Sequence, residues 1–359
     1  MTGQALALTF AEIGIADRPT VGGKGASLGE LNKAGIRVPP GLVVTTAAFE
    51  RFVADIDPEG SIRRAIEGLA ADDLLAMSKI AEGVRERIVS GSLPDDLKEA
   101  IRKGYAELCG GTPDDQPVAV RSSATSEDSS EASFAGLQDT YLWIRGGEDV
   151  LRAVRDCWAS LYSAESVSYR LRFKLPEEGL AMGVVVQRMV NSRCSGVMFT
   201  RSPLTGDRSV IVIETSWGLG SAVVSGVVTP DRYVMSKVTG EVVKRAVSHK
   251  TVQHVPDLVA GGVREVAVPD ERRDEACITD EQLSELARIG KLVEAHYGSP
   301  QDIEWAFAPD AGGDGEERLY LLQSRPETIW ANKEAKPAAT PKPTAFAHVF
   351  DLFGGAKTP

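Results

Sequence analysis

Apolar residues recur at three- and four-residue spacing through most of the first 110 positions. The runs at 46–55, 62–69, 72–90 and 94–108 each carry such a stripe, which predicts amphipathic helices. Positions 92–95 form a break, with Pro94 close to the next helix start. A further helical pattern, 26–34, opens directly out of a glycine-rich turn. After a turn-rich connector at 112–117, the spacing changes to short apolar runs, 117–120 and 140–144, that read as strands. Helices follow at 148–161 and 164–173, then strand-like runs at 182–187, 194–200 and 210–215. Glycines at 218, 220 and 226 punctuate the next loop. The runs 233–237 and 241–247 read as a two-stranded element around Thr239 and Gly240. Thr279 with Gln282 three residues on is a capping box, and it opens a helix that reaches about Tyr297. The pattern predicts a mostly helical N-terminal portion followed by strand-like runs and further helices.

Candidate chemistry sits in three places. Asp302 and Glu304 are two apart, so on a strand they share a face, and the same holds for Gln323 and Arg325. If the two strands pair as a hairpin, the four polar groups converge. Two carboxylates and an amide oxygen are hard ligands suited to Mg²⁺, which takes few protein groups and keeps substrate phosphates in its shell. Arg325 adds a planar fork for phosphate oxygens. The competing reading is an amphipathic hairpin with a solvated acidic edge. The second place is Val21-Gly-Gly-Lys24-Gly-Ala-Ser27. Its glycines would let backbone N–H groups approach an anion at a helix N-terminus, with Lys24 as a point charge. The spacing is neither a Walker A loop nor G-x-G-x-x-G, and a plain helix-capping turn is an equal alternative. The third is Arg121, delivered by the 117–120 strand into a loop rich in hydroxyls, 122–133. Such a loop suits phosphate and reads as a mobile lid that orders on nucleotide. A solvated Ser-rich linker is the alternative, against which stand the arginine directly after a strand and Gly136 ahead of the 140–144 run.

In order along the chain stand Gly-Gly-Lys-Gly-Ala-Ser-Leu-Gly-Glu-Leu, Val-Arg-Ser-Ser-Ala-Thr-Ser-Glu-Asp, Phe-Ala-Gly-Leu-Gln-Asp-Thr, Ser-Gly-Val-Met-Phe-Thr-Arg-Ser-Pro and Asp-Ile-Glu-Trp followed by Gln-Ser-Arg-Pro. This series strongly resembles the nucleotide-binding domain of the dikinase family, which includes phosphoenolpyruvate synthase, pyruvate phosphate dikinase, glucan water dikinase, rifampin phosphotransferase and phenylphosphate synthase. The likeness runs from about Gly14 to Arg325. It implies an ATP-grasp fold with mixed sheets flanking an ATP cleft between two α+β subdomains. The expected division is 1–180, 181–330 and a Pro/Lys/Ala-rich linker with an apolar tail at 331–359. The resemblance gives Lys24 and Arg121 to the ATP phosphates, with Arg325, as the catalytic cations. It gives Gly136 and Thr140 to the loop over the triphosphate, and Gln187 and Met189 to the hinge that receives the adenine edge. Core packing is the alternative for Met189. Glu214, at the end of the apolar run 210–214, is expected to hold the ribose hydroxyls. Glu304 and Gln323 are implied as Mg²⁺ ligands with Asp302 as a neighbouring carboxylate. Arg201 has no assigned role.

Composition narrows the function classes. A net charge of −11 over 359 residues argues against nonspecific nucleic-acid binding. The four cysteines are widely spaced, with no metal or disulfide pattern, and reduced thiols in the cytoplasm are expected. No basic-then-apolar leader and no apolar run of membrane-spanning length is present, so neither a membrane nor a nucleic-acid partner is expected. Dikinases of this kind pass the phosphoryl group through a histidine in a swivelling domain. None of His249, His254, His296 and His348 sits in a matching context. The reading is therefore an ATP-binding subunit that uses MgATP to phosphorylate a histidine on a partner, releasing AMP and phosphate, with a hydroxyl acceptor bound elsewhere. As a standalone chain it resembles the nucleotide subunit of phenylphosphate synthase, whose acceptor is phenolic. An ATP-binding domain of a phosphoenolpyruvate synthase or rifampin phosphotransferase-like enzyme is the alternative. A nucleotide-sensing module without catalysis and an ADP-forming ligase are readings of other classes.

Overall fold

The computed structural model describes residues 5–70, 72–110, 116–125, 139–309 and 316–330. In chain order, β1 (Ala7–Thr9) and α1 (Arg18–Lys33) precede β2 (Gly41–Val44) and the helices α2 (Thr46–Ile56), α3 (Ser61–Glu67), α4 (Leu74–Ser90) and α5 (Asp95–Leu108). Next come β3 (Val118–Ala124), β4 (Thr140–Ile144), α6 (Gly147–Ser160), α7 (Ala164–Arg172) and β5 (Met182–Arg188). The chain continues through β6 (Cys194–Phe199), β7 (Val210–Trp217), α8 (Ser221–Val224), β8 (Asp231–Ser236) and β9 (Val242–Ala246). It ends with the hairpin β10 (Val252–Pro256) and β11 (Val263–Ala267), then α9 (Asp280–Tyr297), β12 (Gln301–Pro309) and β13 (Glu317–Pro326).

The strands form a five-stranded sheet, β1-β2-β5-β3-β4, and a six-stranded sheet, β13-β12-β6-β7-β8-β9, with β10-β11 as a separate ribbon. Every named pair is antiparallel. The expected mixed sheets are thus antiparallel ones. The α+β class stands. The first 110 residues are largely helical, as their spacing predicts, yet they also supply β1 and β2. β5 pairs with β2 and β3, so residues 182–188 belong to the first sheet. The expected division at 180/181 falls ahead of this strand, and we propose the division after Arg188.

Each sheet has its own apolar core. Helices α2 to α7 cover one face of the first sheet, where Trp158 stacks on Phe52 at 5.2 Å and donates its indole N–H to Met182 O. Burial of an aromatic side chain of this size contributes about 3–5 kcal/mol as measured by truncation. The second core gathers Met198, Ile211, Ile213, Trp305 and Leu321 under α9. That helix begins with the predicted capping box, in which Thr279 Oγ1 accepts from Gln282 N and Gln282 Oε1 accepts from Thr279 N. It stops at Gly298, whose φ of 67° is left-handed.

Helix α1 joins the two halves. Its apolar side chains, Val21, Ala26, Leu28 and Leu31, lie in the second core together with Val43 and Val185 of the first sheet. Ser27 Oγ donates to Ser324 O on β13 at 2.7 Å, and His296 Nε2 on α9 lies 2.8 Å from Glu30 Oε1. The helix that carries Lys24 is thereby packed against β3, β5 and β13. Among the described residues, no helix is long and apolar enough to cross a membrane.

Candidate active site

The glycine-rich turn is a kink within α1, where Gly22 leaves helical geometry, and its shape answers to β3. Gly22 has a φ of 74°, and a Cβ there would stand 1.9 Å from Ser123 O. Only glycine adopts this backbone at so close an approach without strain. Ser123 Oγ then donates to Val21 O at 2.8 Å and accepts from Gly25 N at 3.0 Å. The N–H of Gly25, expected to face an anion, is therefore spent on β3. The docking places Lys24 Nζ 2.8 Å from Ser122 O, beside the strand that carries Arg121.

β3 runs to Ala124, so Arg121, Ser122 and Ser123 are strand residues and not the start of a loop. Both serines are fully buried. The rest of the expected lid, from 126 on, lies outside the described residues, as do Gly136 and the tail at 331–359. Arg121 is flanked in the sheet by Thr140 on β4 and Val185 on β5. Its guanidinium crosses to the other sheet, donating through Nη2 to Glu304 Oε2 at 2.8 Å and through Nη1 to Leu322 O at 3.2 Å.

Leu322 offers that carbonyl because the β12–β13 ladder slips there. Glu304 pairs with Gln323, but Trp305 pairs with Leu321, so Leu322 is the extra residue of a bulge. Below the bulge the register is regular and sets Asp302 opposite Arg325 and Glu304 opposite Gln323. The expected hairpin forms, and its four polar groups converge. Arg325 Nε lies 3.4 Å from Asp302 Oδ2.

Charge in this cluster is unevenly held. Burial works to raise the pKa of Glu304, but Arg121, aided by Lys24 and Arg325, more than cancels it and keeps the carboxyl below the ordinary glutamate range. For Asp302, burial outweighs the pull of Arg325, Glu327 adds to it, and the pKa is pushed up to about 6. Asp302 Oδ1 and Gln323 Oε1 are buried with no hydrogen-bond partner. Two orphaned oxygens beside an ionised glutamate are a donor set that fits a small hard cation, because such atoms are costly to leave unpaired. Among the described residues no three His, Cys, Asp or Glu side chains cluster to form a denser metal site.

These groups open into a cleft of about 690 Å³ between the two sheets. Lys24, Arg121, Thr140, Gln187, Met189, Glu214, Asp302, Glu304, Gln323 and Arg325 all line it. Gln187 is the penultimate residue of β5, which runs on to Arg188, and its Nε2 is buried and unpartnered. Glu214 is in mid-strand, since β7 continues to Trp217, and its Oε1 is 3.7 Å from Arg232 Nε. In the hinge, Arg188 N donates to Pro40 O and Met189 N to Pro117 O, so neither is open to a base; Val190 N has no such acceptor among the described residues. Arg201 lies away from this lining. It donates to Gly206 O, stacks over Trp330 and stands 3.8 Å from Glu327, a structural tie.

Several lining residues had no signal in the sequence. The Leu322 carbonyl is exposed by a register slip, Ser192 comes from the loop between β5 and β6, and Ser221 opens the one-turn helix α8.

The family described as pyruvate phosphate dikinase, AMP/ATP-binding domain, matches residues 18–345. The chain belongs to this family. Its ATP-grasp-type fold and its use of ATP with Mg²⁺ follow from that membership. A probable phosphoenolpyruvate synthase of Methanothermobacter thermautotrophicus is 43% identical over 320 residues, covering 89% of this chain and 45% of that protein. The phosphoenolpyruvate synthase of Pyrococcus furiosus is 40% identical over 357 residues, covering 89% and 43%. A rifampicin phosphotransferase of a Streptomyces species is 41% identical over 324 residues, covering 90% and 36%. The chain thus spans less than half the length of these relatives.

Proposed function

We propose that the chain is the ATP-binding portion of an AMP-forming phosphotransferase, of the kind the matched phosphoenolpyruvate synthases and rifampicin phosphotransferase represent. The matched relatives support this reading over the phenylphosphate synthase subunit expected from the sequence. The observation that carries the proposal is the convergence of Lys24 and Arg121 from one wall with Arg325, Asp302, Glu304 and Gln323 from the other on a single cleft.

In this reading the adenine edge meets the hinge at Val190 N, beside Gln187 and Met189, and Glu214 takes the ribose hydroxyls. Lys24 and Arg121 hold the phosphates from α1 and β3, while Arg325 holds them from β13. Glu304 and Gln323, with Asp302 beside them, hold Mg²⁺, which supplies charge neutralisation on the phosphate oxygens. Phosphoryl transfer asks little covalent chemistry of the protein; the chain's own work is to orient the triphosphate in line and offset its charge. Arg121 pairs with Glu304 through Nη2, so the phosphate-binding guanidinium stands beside the carboxylate that would hold the metal. The phosphoryl group then passes to a histidine carried on another domain or a partner subunit. The described histidines have other roles: His249 faces Asp274, His254 faces Ser221 and His296 faces Glu30. We place the protein in the cytoplasm, where its four buried free cysteines stay reduced.

The test is product analysis with ATP labelled at the β- or γ-phosphate, with and without the histidine-carrying portion of a phosphoenolpyruvate synthase. AMP, free γ-phosphate and β-label on the histidine portion are expected. ADP as the product overturns the reading.

A further inference from the structure

Among the hydroxyls that line the cleft, that of Ser221 meets a side chain from outside it. Ser221, at the start of α8, lines the cleft. Its Oγ lies 2.8 Å from His254 Nδ1 on β10. On the far side of the ring, His254 Nε2 is 3.9 Å from Glu265 Oε2, and Glu265 is the cross-strand partner of His254 on β11. His254 is absent from the cleft lining.

The backbone around the pair is fixed. Ser192 Oγ and Ser195 Oγ both donate to Gly218 O, and Leu219 N donates to His254 O at 2.9 Å. Gly218 has a φ of 73°, and a Cβ there would stand 2.3 Å from His254 O. Ser221 and the imidazole therefore meet by construction of the chain, three residues after a turn that only glycine can make.

A carboxylate on the Nε2 side favours the tautomer with its proton on that nitrogen. Nδ1 then carries a lone pair and accepts a hydrogen bond from the Ser221 hydroxyl. With its proton spent away from the cleft, Oγ can only accept from whatever lies in the cleft. Strand register says what that is. Glu304, Val197 and Glu214 share one row across the second sheet, whereas Trp217, just ahead of Gly218, pairs with Cys194. Three residues of strand separate these rows, about 10 Å at roughly 3.3 Å per residue. Asp302 and Arg325 lie to the opposite side of the Glu304 row. Ser221 thus stands at the end remote from the phosphate cations, with the hinge residues Met189 and Val190.

We propose that Ser221 is a specificity-determining residue that accepts a hydrogen bond from the nucleoside part of the bound nucleotide, with His254 as the positioning residue that keeps the serine proton out of the cleft. The inference rests on the MgATP reading of the cleft. A purine nucleoside offers two kinds of donor here, the exocyclic amine of adenine and a ribose hydroxyl. A keto oxygen in place of the amine would face an acceptor and be rejected.

Equilibrium titration of the full chain with MgATP, inosine triphosphate, 2′-deoxy-ATP and 3′-deoxy-ATP separates these sources. Ratios of affinities within one variant cancel any change in the folded fraction. In Ser221→Ala the preference for ATP over one analogue should narrow about fivefold, the scale of one neutral hydrogen bond. Narrowing against inosine triphosphate assigns the amine, and narrowing against a deoxy analogue assigns the hydroxyl. His254→Ala should narrow the same ratio although its ring does not line the cleft. Unchanged ratios in Ser221→Ala overturn the proposal, and a ratio moved by Ser221→Ala but untouched by His254→Ala overturns the role of His254. Failure of the wild-type chain to bind MgATP is a different result, and it sinks the nucleotide reading itself.

Discussion

Arg121 on β3 and Glu304 on β12 are joined across the cleft at 2.8 Å, the guanidinium nearly buried and the carboxylate 31% exposed. They belong to different sheets, so their pairing is a direct bond between the two walls. It also sets the group proposed for phosphate directly against the one proposed for metal. A pair at this depth is stable only because both charges are present, and removal of either leaves the other poorly solvated.

Glu304→Gln should therefore act on metal use more than on shape. The amide keeps the size of the side chain and can still meet Arg121, but it has lost the charge that a hard cation requires. The expected outcome is a higher Mg²⁺ concentration for half-maximal nucleotide turnover, with binding at saturating Mg²⁺ changed less. A titration of Mg²⁺ at fixed ATP checks this; an unchanged midpoint would make Glu304 structural.

Gly22→Ala places a methyl 1.9 Å from Ser123 O at a φ of 74°. The strain and the clash act together, and a loss of at least about 2 kcal/mol is expected. Urea unfolding measures it. Because Lys24 is two residues away, MgATP affinity of the folded fraction should fall as well. Wild-type stability in this variant would mean that the turn has room to relax.

Acid should loosen the helical face of the first subdomain through Asp57. Its carboxylate accepts from Ser61 N, Ser61 Oγ and Ile62 N and lies 3.2 Å from Arg87. Burial works to raise its pKa, but these donors lower it from the ordinary 3.8. The folded state thus holds the proton less tightly than the unfolded chain. The resulting stability is fully present above the unfolded value and is lost as pH falls through the folded one. Asp57→Asn should flatten the stability profile below about pH 4, measured by urea midpoints against pH. An identical acid limb in the variant would contradict the assignment.

Lys250 and Asp231 form a fully buried pair at 2.6 Å, and Asp231 also accepts from Ser248 N and Cys277 N. Lys250→Met should destabilise by about 3–5 kcal/mol, since it strands a carboxylate in the second core. Thermal and urea unfolding test this. A loss well under 1 kcal/mol would show that water or a shifted side chain replaces the ammonium.

Much of this was legible because it depends on local period. The two-residue spacing of Asp302 with Glu304 and of Gln323 with Arg325 fixes a shared face, and the β12–β13 register then pairs them. The Thr279 capping box and the helical stripes are equally local. What was missed depends on distant partners. Arg121 reads as the first residue of a loop because polar serines follow it, yet Ser122 and Ser123 are strand residues buried under α1. The glycines at 22 and 25 suggest an anion cradle, while half of their work is to let β3 approach. Glu214 reads as a strand end because charge interrupts an apolar run, but β7 continues through Thr215, Ser216 and Trp217. The bulge at Leu322 leaves no trace in composition at all.

The most direct test of the cleft as the nucleotide site is calorimetric titration of MgATP into the wild-type chain and into Lys24→Ala, Arg121→Ala and Arg325→Ala, each shown to be folded by its unfolding curve. The account predicts that every one of the three binds MgATP more weakly by roughly 1.5–3 kcal/mol, about ten- to a hundredfold, the scale of hydrogen bonds to charged groups. Undiminished affinity in the folded variants would contradict it.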